Sequence, residues 1–445
     1  MRRRCASSSS RALRLPARSS ALISSALRRV SPASSTGPAK HARAGRRIGA
    51  PRHRPGAACV PTVHRNAYTN DELQAVYDQT VAFVANEVKP HGEQWERDGK
   101  VPRAVLREMG DLGMFSLRVP VELGGLGLGP LASATFAEAL GSSTFAGFDV
   151  TALVHTDMAL PHLLNSGTPE QLERWLPAAM TGHSMLSIGV TEPDAGSDVA
   201  GIRTTAVRDG DGWRLNGTKT FITGAVYGDM TILAARTDPD ERHGISMFLL
   251  PADTEGFVVA KKLDKHGWLC SDTAELTLTD VWLDGDHLLG VEHRAFSETM
   301  TNFQNERMVL VGMGVGAAQA AIDMTNAYTQ QRRAFGGHLY DLGAIRQRMA
   351  MNQAKIDAVR ASMYHGAWLA EQGVDATKEL SGVKAWGAEA VNRVMYDCVQ
   401  FHGGMGYMRE SAIERMYRDA RVLPIGGGAT EVMLEEVAKR SYVDG

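Results

Sequence analysis

Thr191-Glu-Pro-Asp-Ala-Gly-Ser-Asp-Val-Ala-Gly201 and, soon after it, Asn216-Gly-Thr-Lys-Thr-Phe-Ile-Thr223 mark where this chain changes texture. The first is a Gly- and Asp-rich turn that follows the apolar stretch 186–190. The second is a tight Asn-Gly turn running into residues of strand type. Taken singly, each reads as an ordinary loop. Around them, from about Ser184 to Leu289, lie a further turn signal, Asp209-Gly-Asp-Gly212, and short strand-like runs at 230–235, 245–250 and 274–278. The last alternates Glu275 and Thr277 with Leu276 and Leu278, the period of a half-buried strand. This stretch predicts a β domain of about 100 residues, a small barrel or sandwich.

On both sides the period is helical. Upstream, Asn70 is a candidate cap for a helix carrying Leu73, Val76, Val81, Val84 and Val88, which Pro90 stops. Further helices are expected over 104–112, 132–140 and 170–180, with a loop of Gly124, Gly125, Gly127 and Gly129 between them. Downstream, Leu342, Ile345, Met349, Ile356, Val359 and Met363 step by three and four, with Asn352 and Gly366 filling the seam. That is the pattern of bundle packing. Helices over 376–401, 411–421 and 430–441 complete it. The fold class is α+β: a helical domain over 67–182, a β-barrel or sandwich over 183–292, and a helical bundle over 293–445.

Charge separates a leader from the body. Residues 1–65 hold 14 Arg and one Lys, and no acid precedes Asp71. The chain as a whole is −2, which leaves −17 for the body and argues against nucleic-acid binding there. The Arg-, Ser-, Ala- and Pro-rich residues 1–66 lack a sustained apolar period and are expected to be disordered. They read either as an organellar transit peptide or as upstream sequence translated from an early start. A mitochondrial matrix location follows from the first, a cytoplasmic one in a bacterium from the second. Of four cysteines, only Cys270 and Cys398 lie in the body, without metal-type spacing, so neither a zinc site nor a disulfide framework is expected. No membrane span is expected either.

Gly312-Met-Gly314-Val-Gly316 imitates a dinucleotide fingerprint, but it sits inside a helical run. Without a preceding strand, it reads as small residues that admit a neighbouring helix.

Four motifs in order carry a family resemblance: the two quoted first, then Arg332-Arg-Ala-Phe-Gly336, then Gln400-Phe-His-Gly-Gly-Met-Gly406 with Arg418-Asp-Ala-Arg421. Together, from about residue 70 to the end, they resemble the acyl-CoA dehydrogenase family. Closest are the long-chain and isovaleryl-type members, whose catalytic Glu stands on the first helix of the C-terminal domain. The resemblance implies a C-terminal four-helix bundle, FAD as cofactor, acyl-CoA as substrate, and a homotetramer built as a dimer of dimers. It also implies an electron-transfer flavoprotein as partner.

By motif, Ile188, Val190 and Thr191 would lie along the isoalloxazine with Ile222. Phe221 would cover a ring face and Thr223 would donate toward N5. Phe221 stands where many members carry Trp, and Gly224 where Asn is usual. Ser197 would bond the FAD pyrophosphate or the pantetheine of the substrate. Arg332, Phe335, Gln400, Gly403 and Gly404 would hold the pyrophosphate and adenine of a neighbouring subunit's FAD. Ala429 and Glu431 complete the implied cofactor set. Gly343 replaces a Gln of the family, with Gln347 as its nearest substitute.

The family's reaction takes the α-proton with a carboxylate base while the β-hydrogen leaves as hydride. Most members carry that base in an Ile-Tyr-Glu-Gly-Thr motif. Here the stretch is Ile425-Gly-Gly-Gly-Ala-Thr430, and the usual Glu position is Gly427. The resemblance moves the base to Glu306, in Asn305-Glu-Arg307. Arg307 and Phe303 would touch substrate, and the Gly427 backbone N–H would still bind the thioester oxygen. An acyl-CoA oxidase or flavin monooxygenase on the same fold, and a non-catalytic CoA- or flavin-binding scaffold, are the competing readings.

Overall fold

The structure, a computed structural model, describes residues 67–239, 241 and 244–442. The expectations for residues 1–66 lie outside the described residues.

Asn70 caps α1 (Asp71–Phe83) as its sequence predicts, its side-chain oxygen accepting from the Leu73 N–H at 2.8 Å. The N-terminal domain continues through α2 (Gly92–Asp98), α3 (Arg103–Asp111), α4 (Pro130–Gly141), α5 (Ala146–Leu153), α6 (Leu160–Ser166) and α7 (Pro169–Met180). Helices α5 and α6 were not anticipated. They are joined by a π-helical turn, Val154–Ala159, and are buried nearly all round, so no amphipathic period announces them. A Thr168–Gln171 capping box starts α7.

The middle domain is one eight-stranded sheet: β1 (Leu186–Gly189), β2 (Thr205–Asp209), β3 (Gly212–Thr223), β4 (Met230–Arg236), β5 (Ile245–Pro251), β6 (Phe257–Lys262), β7 (Thr273–Asp284) and β8 (Leu288–Leu289). The main path runs β6-β7-β3-β2-β4-β5-β8, and β1 adds to β4 in parallel. The sheet folds over on itself. Trp213 and Leu215 of β3, Phe248 and Leu250 of β5, and Leu276 and Leu278 of β7 share one core. A second core packs β1, β4 and β5 against α6 and α7.

The C-terminal domain comprises α8 (Ala295–Gln331), α9 (Gly343–Glu371), α10 (Thr377–His402), α11 (Ala412–Ala420) and α12 (Thr430–Tyr442). The seam residues Met349, Asn352, Ile356, Val359, Met363 and Gly366 are buried, whereas Leu342, just before α9, is exposed. The three glycines of α8 admit neighbours: a Cβ on Gly316 would stand 2.0 Å from the Glu138 carbonyl of α4, and one on Gly312 3.0 Å from Ala137 Cβ. By length and composition alone the stretch Asn302–Gln331 could cross a membrane. Its most apolar window is 72% buried among the other helices, as the core helix of a bundle is. Cys270 and Cys398 are free and buried.

Candidate active site

The two motifs that open the β domain are tied together by a buried ion pair. Glu192 accepts from Lys219 Nζ at 2.7 Å, and Lys219 also donates to the Val190 carbonyl. Glu192 further accepts from the N–H groups of Arg203 and Thr204. Burial alone would lift the Glu192 carboxyl, but Lys219 and these donors hold it below its ordinary range. Burial brings Lys219 down to about 8. The Thr220 N–H donates to the Thr191 carbonyl at 2.9 Å, which closes the end of β3 onto the loop after β1.

That junction shapes a surface. The β3–β7 register skips between Lys219 and Ile222, so Thr220 and Phe221 oppose the single residue Glu275. This bulge turns Phe221 outward: it sits at φ +60° and is 67% exposed. A bulky residue held there costs about 1–3 kcal/mol, the kind of strain that clusters at ligand sites. Thr191, Thr223 and Ile188 are partly exposed beside it. Behind Thr223, its hydroxyl lies 3.5 Å from that of Thr273, which accepts from the half-buried Lys265 Nζ at 3.0 Å. Gly224 adopts φ +82°, a backbone that glycine suits better than the Asn expected there. An exposed ring, flanking hydroxyls and a cation behind them fit a flavin.

Two of the implied contacts need correction. Ile222 and Val190 point their side chains into hydrophobic cores, so only their backbone could face a cofactor. The alternation of β3 sends Ile222 inward next to the outward Phe221. Ser197 is exposed on the loop.

The other cofactor residues gather elsewhere. Tyr328 near the end of α8 stacks on His402 at the end of α10, ring centroids 4.4 Å apart. This joins the segment after α8 to the turn after α10. Phe335 tips a two-residue hairpin with φ +54° and is 90% exposed. Arg332, Gln400, Gly403 and Gly404 are exposed, and a Cβ on either glycine would meet nothing. Gly343 opens α9, and Gln347 is exposed one turn on. Arg332 lies 26 residues beyond Glu306, roughly 39 Å along the helix at 1.5 Å per residue.

Glu306 and Gly427 do meet. A Cβ built on Gly427 would stand 3.1 Å from Glu306 Oε1 and 2.2 Å from Leu310 Cδ1. Gly427 has φ +62°. The carboxylate from α8 therefore occupies the space that a side chain at 427 would otherwise enter. Burial raises the Glu306 pKa above the ordinary carboxyl value, while Lys384 and Arg307 oppose the rise. The Gly427 N–H has no partner among the described residues.

Arg307, which the resemblance places against substrate, lies inside the bundle. It is buried, its Nη1 donates to Ser381 of α10 at 3.2 Å, and its Nε is without a partner among the described residues. Phe303 is partly buried one turn earlier on α8. Ala429 and Glu431 flank the start of α12, the latter exposed. Glu192, Lys219 and Lys384 were missed as site residues. The first two lie inside the quoted motifs, and Lys384 falls one turn after Leu380 on an apolar helix face.

A helical domain, a folded sheet and a helical bundle, with an exposed strained aromatic beside hydroxyls and a half-buried carboxylate, define a flavoenzyme of oxidoreductase type. Three family models match in order: the acyl-CoA dehydrogenase N-terminal domain over residues 70–183, the middle domain over 187–281 and the C-terminal domain over 296–442. The chain belongs to the acyl-CoA dehydrogenase family, whose members are FAD-dependent. It is 37% identical over 367 residues to the mitochondrial long-chain specific acyl-CoA dehydrogenase of Mus musculus, covering 81% of this chain and 84% of that one. It is 35% identical over 345 residues to subunit CarC of the caffeyl-CoA reductase-Etf complex of Acetobacterium woodii, covering 76% and 90%. The crystal structure of an acyl-CoA dehydrogenase from Geobacillus kaustophilus superposes with a TM-score of 0.81 at 34% identity, covering 85% of this chain and all of that one.

Proposed function

We propose that this enzyme desaturates acyl-CoA thioesters between Cα and Cβ, with Glu306 removing the α-proton. The observation that carries the reading is the Glu306 carboxylate beside Gly427, where the side chain of the usual base is missing. Its raised pKa makes it a stronger base than an ordinary carboxylate. The unpartnered Gly427 N–H is a donor for the thioester oxygen, which lowers the barrier to losing the α-proton. FAD, when bound, supplies the acceptor for the β-hydride. Thr191, Phe221 and Thr223 hold its ring, and Arg332, Phe335, Gln400, Gly403 and Gly404 bind the distal part of a cofactor in a neighbouring subunit. The separation along α8 supports that sharing, and with it a homotetramer built from such dimers. Electrons pass to an electron-transfer flavoprotein, a reading supported by the relative that belongs to an Etf complex.

The test is anaerobic bleaching of bound FAD by a panel of acyl-CoA thioesters, in the parent and in Glu306→Gln. The proposal expects bleaching by at least one thioester and a loss of about 10²–10⁴ in its rate in the variant. Equal rates would remove Glu306 from the role. No bleaching by any thioester would favour a non-catalytic scaffold.

A further inference from the structure

Lys384 is a buried lysine in the middle of α10, 1% exposed. Its ammonium has three N–H donors, and each has a carbonyl: Leu423 at 2.6 Å, Gly426 at 3.0 Å and Gly428 at 2.9 Å. These carbonyls bracket Gly427, so the chain curls around the ammonium group. The peptide joining Gly426 to Gly427 is planar and trans, hence its C=O and N–H point in opposite directions. Turning the Gly426 carbonyl onto Lys384 therefore turns the Gly427 N–H away from it, and that N–H has no partner among the described residues.

The same lysine faces the carboxylate. Glu306 meets Lys384 from α10 and Arg307 from its own helix. Glu436 and Arg440 of α12 act on Arg307. Burial pulls Lys384 down to about 8, with Glu306 acting against that fall and Arg307 adding to it.

We propose that Lys384 is a positioning residue for the reaction: it fixes the peptide plane that presents the Gly427 N–H, and it faces Glu306 with a buried positive charge. This rests on the reading of Glu306 as base for its second half only.

The test uses the FAD-loaded enzyme with Lys384→Met and Lys384→Gln, a reactive acyl-CoA, and an S-alkyl-CoA thioether that lacks the carbonyl. In Lys384→Met, kcat should fall at least tenfold, while thioether affinity stays within twofold. The acid limb of kcat/KM should move up by about one pH unit, since a facing cation is gone. Lys384→Gln keeps a donor for the turn but no charge. It should hold kcat closer to the parent and still show the shifted limb, and it serves if the methionine variant does not fold. A parent-like kcat and parent-like limb in either folded variant would overturn the proposal. Glu306→Gln separates the two ideas. If it stays active, the base assignment fails, and the loss of kcat in Lys384→Met with intact thioether binding still reads the peptide-plane half.

Discussion

The carboxylate of Glu306, on the first helix of the bundle, stands 3.1 Å from the point where a Cβ on Gly427 would be. The two residues are far apart in sequence and come from different elements, yet they compete for one space. Leu310, one turn after Glu306, presses into the same space from 2.2 Å. A side chain at 427 and the carboxylate at 306 are therefore alternatives.

The pH dependence of kcat/KM should carry the signature of a desolvated carboxyl. A base works only when ionised, and burial raises the pH at which Glu306 ionises. The rate should climb with pH along a single acid limb whose midpoint lies above 4.5, the ordinary value for Glu. Glu306→Asp draws the carboxylate back by one methylene and should lower kcat by about tenfold or more. A midpoint at or below the ordinary value would show that another group titrates.

Gly427→Ala should be damaging out of proportion to its size. An L-residue held at φ +62° costs about 1–2 kcal/mol. The new methyl also meets Leu310 and Glu306. We expect a lower thermal midpoint and a fall in kcat of about tenfold or more, with FAD retained, since the exposed aromatic and hydroxyls lie on β3 and the loop after β1. An alanine variant as active as the parent would show that the turn can move without disturbing the base.

Local signals were legible in the sequence and tertiary ones were not. Asn70 as a cap, the small residues of α8 and the seam of α9 each depend on neighbours a few residues away. Helices α5 and α6 escaped because a helix buried on all sides shows no period. Lys219 and Lys384 escaped because a lone lysine reads as a solvated side chain. Their role depends on Glu192 and on the carbonyls around Gly427, which only the folded chain brings near. The outward turn of Phe221 comes from a bulge against Glu275, a matter of register between β3 and β7. The motifs carried by resemblance could not tell that Ile222 and Arg307 face inward.

A buried acid in α11 should make stability depend on pH in a direction that can be checked. Asp419 accepts from the Trp268 N–H at 2.7 Å through one oxygen, and its other oxygen is buried without a partner among the described residues. Burial, with Glu96 adding, lifts its pKa from 3.8 to about 7. Its contribution is whole below 3.8 and is lost as pH rises to about 7, because only the unfolded chain releases the proton there. Asp419→Asn does not titrate. Its stability relative to the parent should increase by about 2–3 kcal/mol between pH 5 and pH 8. Urea unfolding at the two pH values measures this. A difference that stays constant would assign Asp419 an ordinary pKa.

Mixed assemblies should reveal whether one site draws on two chains. Arg332 and Glu306 lie about 39 Å apart along one helix, so in the proposed assembly a cofactor held by Arg332 would serve a base on another copy. Arg332→Ala alone should bind FAD weakly, and Glu306→Gln alone should bind FAD but not desaturate. Co-expressed, each mixed pair contains one site with Glu306 from the first chain and Arg332 from the second. That site is of parent composition, so purified mixed dimers should recover up to about half of parent activity per FAD-binding site. The two homogeneous variants, mixed after assembly without subunit exchange, should recover none. If co-expressed chains stay as inactive as the separate variants, while mass spectrometry shows that they pair, then each chain completes its own site and the shared-cofactor reading is wrong.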